Sequence, residues 1–351
     1  MPKTTTRTVH PVLAATPSVN TAGPRESVSI SAVAAHAGVS IATVSRVVNG
    51  VTNKASAGTV ARVQAAITEL GYRPTGAGRS LRSGQSRLVA VLAANMSNPT
   101  MPAIVSAAEV ALRGAGYVMV LCDTHEQPDL QDEYLLEMRA HYARGLVLLG
   151  AVDSPVLRSF VRSGEPLVFV NRRSPVPGPG QAHVGIDNLG AGGDVARWIA
   201  TQGWTELGLI HGNLASSATA DRVNGFRAAL STCALRLPSR RIQTVVGKEH
   251  LQIGYESMGR LLAQTTPPKV VFCTSDLIAY GAHRRALEAG LEIGRELVLI
   301  GFDDSPMNAW IAPWLHAVRV PYAAYGEAIV RSLADRQAGP IILRHELVVR
   351  P

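Results

Sequence analysis

From Arg87 onward the chain alternates short, almost wholly apolar runs with helical patterns, and this alternation restricts the fold more than any other feature. The runs are LVAVLAA (88–94), YVMVLCD (117–123), GLVLLGA (145–151), PLVFVNR (166–172), HVGIDN (183–188), LGLIHG (207–212), IQTVVG (242–247), VVFCTS (270–275), ELVLIGF (296–302) and HAVRVP (316–321). Apolar side chains at helical spacing fill 104–114, 130–142, 190–201, 222–230, 255–264 and 277–289 between them. A strand without polar alternation is covered on both faces, and intervening helices supply that cover, which is the signature of parallel sheets. Ten such strands are more than one sheet of this type usually holds, so the pattern predicts two βα lobes with a cleft between them.

A different texture precedes Arg87. Val28–Asn49 reads VSISAVAAHAGVSIATVSRVVN. A first short helix over 31–37 places Val33, Ala34 and Ala37 on one face, Gly38 and Val39 break it, and Ser40 stands where an N-cap belongs. A second helix over 41–49 turns Val44, Val47 and Val48 inward and leaves Ala42, Thr43, Ser45, Arg46 and Asn49 outside. Two short helices around a tight glycine turn, the second presenting small polar groups and an arginine, form the helix-turn-helix pattern of a DNA reader. A third helix follows, with Ser56 as its cap, Val60, Val63, Ile67 and Leu70 at helical spacing and Gly71 at its end. Tyr72-Arg73-Pro74 closes the unit. The expected organisation is therefore a Thr-, Pro-, Ser- and Ala-rich extension (1–27), taken as disordered, a helical DNA-binding domain (28–74), a hinge linker (75–86) and the two-lobed region (87–351).

Charge separates the same regions. Residues 1–86 carry nine Lys or Arg against two Glu, whereas the remaining 265 residues carry 25 basic and 24 acidic side chains. Basic character gathered in one small unit marks a polyanion partner. The three cysteines, Cys122, Cys233 and Cys273, sit far apart in apolar runs and read as buried thiols of a reducing compartment. No apolar run approaches the ~18 residues of a membrane span, and VLAA (12–15) is too short for a signal peptide. A cytoplasmic location is expected. His36, His211, His250 and His283 lack metal-ligand spacing, so no metal or cofactor is expected. Cys122-Asp123-Thr124-His125 resembles a nucleophile and base only in sequence, because neighbouring strand residues face opposite ways. LGAGGD (189–194) lacks the lysine and the context of a phosphate loop. No catalytic constellation emerges.

VSIATVSRVVN, ELGYRP and RSLRSG, followed by two βα lobes, resemble the LacI/GalR family of bacterial repressors. VNRR (170–173), DRVNGFRAAL (221–230), TSDLIAYG (274–281) and IGFDDSP (300–306) match independently, so the resemblance covers 28–351. It implies a homodimer that binds a near-palindromic double-stranded operator, with a small-molecule effector in the cleft biasing DNA affinity. It also implies that Ile41, Ala42 and Arg46 face base edges in the major groove. Arginine can fork onto guanine O6 and N7, whereas Ile41 and Ala42 offer only apolar contact. Ser40, Thr43, Ser45 and Asn49 suit phosphates, which position without reading sequence. For Arg46 the plainer reading is a solvated helix charge. In the linker, Leu81 matches the family's minor-groove wedge, with Arg79 and Arg82 beside it for phosphates. Thr75 stands where the family commonly has Asn, and Gly76 and Gly78 stand where it has helix formers, so the hinge is expected to order only on DNA.

The two-lobed region is similar to periplasmic sugar-binding proteins, whose ligands sit where strand ends of both lobes converge. The resemblance carries effector contacts to Asn98, Thr100, Met101, Asn171, Arg222, Ser275 and Asp303. Asp303, Arg222 and Asn171 together offer the donors and acceptors a polyol needs, and Arg222 can also take a carboxylate bidentately. A sugar, a sugar acid and a phosphorylated sugar all remain open. The plainer alternatives are that Asp303 and Asp304 cap a following segment and that Arg222 belongs to a structural network. Trp310 and Trp314 are expected to pack rather than stack on a sugar, and Val320 replaces a glutamine common in the family. The competing functions are a solute-binding transport protein, disfavoured by the missing signal peptide and the basic helices, and a sugar-modifying enzyme. The absence of a C-terminal heptad segment favours a dimer.

Overall fold

A computed structural model describes residues 28–51, 54–72, 86–178, 180–335 and 339–351. The expectations for the 1–27 extension and for linker residues 75–85, including Arg79 and Leu81, lie outside those residues. The chain divides into two compact units, Met1–Ser83 and Gly84–Pro351.

The first unit holds α1 (Ile30–Ala37), α2 (Ile41–Val48) and α3 (Ala57–Leu70). Each starts on a serine whose hydroxyl accepts an amide N–H of the first turn: Ser29 from Ala32, Ser40 from Thr43 and Ser56 from Thr59. These caps satisfy donors that a helix leaves unpaired. Gly38 (φ 63°) ends α1 in the left-handed region, and the bend between α1 and α2 is 105°, within the helix-turn-helix range. Val33, Ala34, Ala37, Val44, Val47, Val63 and Ala66 form a core of small side chains. His36 Nε2 meets Glu69 Oε2 at 2.8 Å and ties α1 to α3.

The second unit carries two six-stranded sheets. In the first lobe β1 (Leu88–Ala93), α4 (Thr100–Gly114), β2 (Val118–Asp123), α5 (Pro128–Ala140), β3 (Gly145–Leu149), α6 (Pro155–Ser163), β4 (Leu167–Val170) and β5 (Ala182–Ile186) follow in order. The chain then enters the second lobe as α7 (Asn188–Thr201), β6 (Leu207–Ile210), α8 (Ser217–Thr232), β7 (Ile242–Gln243), α9 (His250–Leu262), β8 (Val270–Cys273), α10 (Asp276–Glu288), β9 (Val298–Asp303), α11 (Asn308–Ile311) and β10 (His316–Arg319). It returns to the first lobe for α12 (Tyr322–Ala334) and β11 (Ile341–Leu343), and ends in the second as β12 (Glu346–Val348). The strand orders are β11-β5-β4-β3-β1-β2 and β12-β10-β9-β8-β6-β7. Three passages between lobes, after Ile186, before Tyr322 and around His345, join them.

The two-lobed parallel architecture is the one expected, with four corrections. Among the described residues twelve strands replace ten, because β11 and β12 are edge strands of only three residues, too short for their apolar side chains to stand out as a run. β12 pairs antiparallel to β10. The run 242–247 keeps only Ile242–Gln243 as strand, and Val246 is 92% exposed beyond it. Only Cys273 is a fully buried thiol; Cys122 lies on the edge strand β2 and Cys233 caps α8, both half-buried. Of the two tryptophans expected to pack, Trp314 does, stacked on His283 with ring centroids 3.8 Å apart, whereas Trp310 stands 83% exposed on α11. No single helix among the described residues is long and apolar enough to cross a membrane.

Candidate functional site

On α2 the buried face is Val44 and Val47, with Val48 half-buried, and the opposite face carries Ile41 (51% exposed), Ala42 and Arg46. Among the described residues no carboxylate pairs with Arg46. The polar residues at the two ends already hold the helix. Ser40 Oγ accepts the Thr43 N–H and shares a hydrogen bond with Thr43 Oγ1 at 3.0 Å. Asn49 Nδ2 donates to the Ser45 carbonyl at 2.6 Å. Ser40, Thr43 and Asn49 thus spend part of their bonding on the ends of α2, whereas among the described residues the exposed Arg46 guanidinium has no carboxylate partner.

The second concentration of chemistry lies where strand ends of both lobes meet. Arg222, on α8, is 6% exposed. Its Nε donates to Asn188 Oδ1 at 2.8 Å, its Nη1 donates to the Thr274 carbonyl at 2.8 Å and approaches Asp303 Oδ1 at 3.5 Å, and its guanidinium lies 3.5 Å over the Phe302 ring. Two glycines make this placement possible. A Cβ on Gly192 of α7 would meet the Arg222 carbonyl at 2.2 Å, and one on Gly225 of α8 would meet the Leu189 carbonyl at 1.8 Å. The helices touch backbone to backbone, so LGAGGD is a packing surface rather than a phosphate loop.

Asp303 ends β9 with φ 111°, Asp304 follows at 47°, and Asn171 after β4 sits at 66°. These are costly conformations for residues with a Cβ, and such strain gathers at sites of binding and switching. The Asp303 carboxylate accepts from the Thr100 hydroxyl and the Asp276 amide, and its carbonyl accepts from the Tyr322 hydroxyl at 2.8 Å. Asp276, at the start of α10, accepts from the Ser305 amide and Asn308 Nδ2, each at 2.8 Å, and its Oδ1 has no partner. Tyr325 is wholly buried and its hydroxyl is also unpartnered.

Burial governs the charges here. It pushes the Asp303 carboxyl up to about 6 and pulls the Arg222 guanidinium down, in each case against the attraction of the other. Asp276 rises well above the usual carboxylate range for the same reason, reinforced by Asp303. Asp304 beside them accepts from Arg319 Nε (2.7 Å) and from Arg350.

The comparisons with known proteins meet this geometry at both places. The profile of bacterial regulatory proteins of the lacI family matches residues 29–75, and that of periplasmic binding proteins and the sugar binding domain of the LacI family matches 85–304. The HTH-type transcriptional repressor PurR of Yersinia pestis bv. Antiqua (strain Antiqua) is 31% identical over 309 residues, 88% of this chain and 90% of that protein. The chain belongs to the LacI family. It is a DNA-binding transcriptional regulator with a small-molecule effector, and its relatives are repressors rather than enzymes. Among solved structures, the transcriptional regulator CelR–cellobiose complex superimposes with a TM-score of 0.68 at 27% identity, covering 92% of this chain and 98% of that one. The lac repressor dimer bound to operator and the anti-inducer ONPF shares the fold, with a TM-score of 0.76 at 23% identity, covering 93% and 98%.

Within this LacI-family cleft the structure brings Thr100, Arg222 and Asp303 into one network. Asn98 is one step away, its Oδ1 accepting the Thr100 N–H at 3.1 Å. Ser275 caps α10, accepting from the Ile278 N–H, and contacts His250 Nδ1 at 2.9 Å, next to the Thr274 carbonyl that Arg222 uses. Met101 is buried in the core of the first lobe, and Val320 is buried with its N–H on the Asp303 carbonyl. Asn171 holds the strained turn after β4. Sequence reasoning missed Asn188, Asp276, Phe302, Tyr322 and Tyr325. Asp276 had a visible signal, since it follows Ser275 in the TSDL run and opens a helix; the tyrosines had none.

Proposed function

We propose that this regulator is a cytoplasmic repressor of sugar or sugar-acid uptake and catabolism genes, binding a near-palindromic operator as a homodimer. The organisation is the one read from the sequence: an extension (1–27), a reading domain (28–74), a hinge (75–86) and an effector domain (87–351). In the reading domain Arg46 takes a guanine edge, Ile41 and Ala42 make apolar contact, and Ser40, Thr43, Ser45 and Asn49 lie towards phosphates. Arg79 and Leu81 of the hinge complete the contact with the operator.

The observation that carries the effector half is the closed network of Arg222, Asp303, Thr100 and Tyr322, in which charge from the second lobe meets hydroxyls attached to the first. Such a network is a ready set of donors and acceptors for a polyol, with Asn98, Asn171, Ser275 and Met101 around it. A neutral sugar suits it better than an acid, because Asp303 already stands against Arg222. The CelR–cellobiose relative supports the same class. Binding changes DNA affinity by favouring one lobe arrangement over another, and only through differential affinity for the two.

Retardation of DNA from upstream of neighbouring genes tests the reading. Specific binding at nanomolar protein with a steep salt slope is expected, together with a thermal shift by a neutral sugar that alters that binding. No specific fragment at low salt would refute it.

A further inference from the structure

Lobe closure has a second polar fastening, outside the buried network. Arg173 follows β4 in the first lobe, and Asp221 lies on α8 of the second, one residue before Arg222. The Arg173 guanidinium grips Asp221 with both arms, Nη1 on Oδ2 and Nη2 on Oδ1, the latter at 3.1 Å. The Arg173 backbone N–H donates to Ser217 Oγ at 2.9 Å, in the first turn of α8. Its neighbour Arg172 reaches instead to Glu126 of its own lobe at 2.6 Å, so the two arginines of VNRR do different work. His183 of β5 is half-buried, its shielded Nε2 unpartnered and within the field of both Arg173 and Asp221.

We infer that Arg173, Asp221 and Ser217 form a latch between the lobes, whose making and breaking sets the fraction of molecules that are closed. This rests on the reading of the cleft as an effector site gated by lobe movement. All three bonds join different lobes and are lost together when the lobes part. Most other arginine pairs, such as Arg113–Glu109, Arg158–Asp153 and Arg284–Glu288, stay within one lobe and do not sense the movement. Asp221 has only 16% of its side chain exposed, while Arg173 keeps 57%. A bidentate pair so placed biases an equilibrium several-fold rather than fixing it. That strength suits a switch, because a bias of roughly 10⁴-fold would demand an equally large differential affinity from the effector. Since Asp221 and Arg222 share one turn of α8, opening the latch and exposing the effector arginine are a single displacement of that helix start.

Amide exchange of the full-length protein, without ligand or DNA, tests the latch. Arg173→Ala and Asp221→Asn are expected to accelerate exchange about 3- to 10-fold in the cleft-facing segments 122–127, 171–175 and 213–219, with strands β3 and β8 unchanged. The exchanged pair Arg173→Asp with Asp221→Arg is expected to return those segments to within about 2-fold of the wild type. Unchanged exchange in both single variants overturns the latch. So does an exchanged pair as fast as the single variants, or equal acceleration in β3 and β8, which would make the pair a holder of the whole fold. None of these readouts uses DNA or effector, so failure of operator retardation strikes the regulator reading and leaves this result standing.

Discussion

Two arginines, Arg46 on α2 and Arg222 on α8, show how differently the two units keep chemistry ready for a partner. Arg46 stands on an exposed face, with no carboxylate against it among the described residues. Arg222 is buried, and the protein itself supplies Asn188, the Thr274 carbonyl, Phe302 and Asp303 as its surroundings. A solvated arginine costs the fold almost nothing and keeps its donors open to a partner. A buried one must be answered by its own chain, so its partner competes with bonds already made. The exposed face of α2 is therefore separable from stability, and the cleft is not.

The largest break of this contrast is Arg222→Ala. It leaves Asp303 and Asp276 buried without their cation and should destabilise the second unit by about 3–5 kcal/mol, the range for an orphaned buried charge, measurable by urea unfolding. Neutralising the orphan should recover much of the loss, so the double variant with Asp303→Asn is expected to be more stable than Arg222→Ala alone. If Arg222→Ala melts like the wild type, the guanidinium is not balancing those carboxylates.

Asp303 also supplies a pH test. Its folded pKa, about 6, lies above that of an unfolded aspartate. The folded protein then binds more protons than the unfolded chain between about pH 4 and 6, so this group's contribution is fully present below about pH 4 and is lost as pH rises through 6. Asp276 shifts the same way. Asp303→Asn should flatten the fall in melting temperature across that window. An unchanged slope would mean that Asp303 does not titrate there.

Much of the contrast is legible in the sequence, unevenly. The helical unit is local: Ser40, Ser56, Gly38 and Gly71 lie within a few residues of the turns they make, so the pattern of caps and apolar spacing is enough. The two lobes are also legible, because continuous apolar strands separated by helices admit few arrangements. Arg222 and Asp303 are identified from family motifs, not from spacing. Tyr322 and Tyr325 are not legible, since the chain reaches them by returning to the first lobe after completing most of the second. The Thr100–Tyr322 contact (3.5 Å) spans 222 positions, and no periodicity reports a crossing of that length. β11 and β12 escape because three-residue edge strands carry too little apolar pattern.

Arg46→Ala sharpens the other half. The proposed major-groove contact predicts a loss of ~1–3 kcal/mol in discrimination at one base pair, read as operator affinity against a guanine-substituted site. Stability should stay within ~0.5 kcal/mol, as for a surface change that touches no packing. A variant that binds both sites as the wild type does would leave α2 as a positioning helix only.

The smallest expected effect lies inside the cleft and has the opposite sign. Tyr325 packs its ring in the core while its hydroxyl, deep against Arg222 and Asp303, makes no hydrogen bond. Burial pushes the phenol pKa upward, so it stays protonated at any ordinary pH. A buried donor without a partner is a debit to stability, and Tyr325→Phe removes it without changing the ring. The variant should gain up to ~1 kcal/mol, or roughly 2–4 °C in melting temperature for a unit of this size. The same substitution should weaken the thermal shift given by the effector, if the hydroxyl is held unpaired in order to meet it. A variant that loses stability would place a bonding partner on the hydroxyl in the free protein, and the contrast with Arg46 would narrow: the cleft would then hold every polar group as firmly as it holds Arg222.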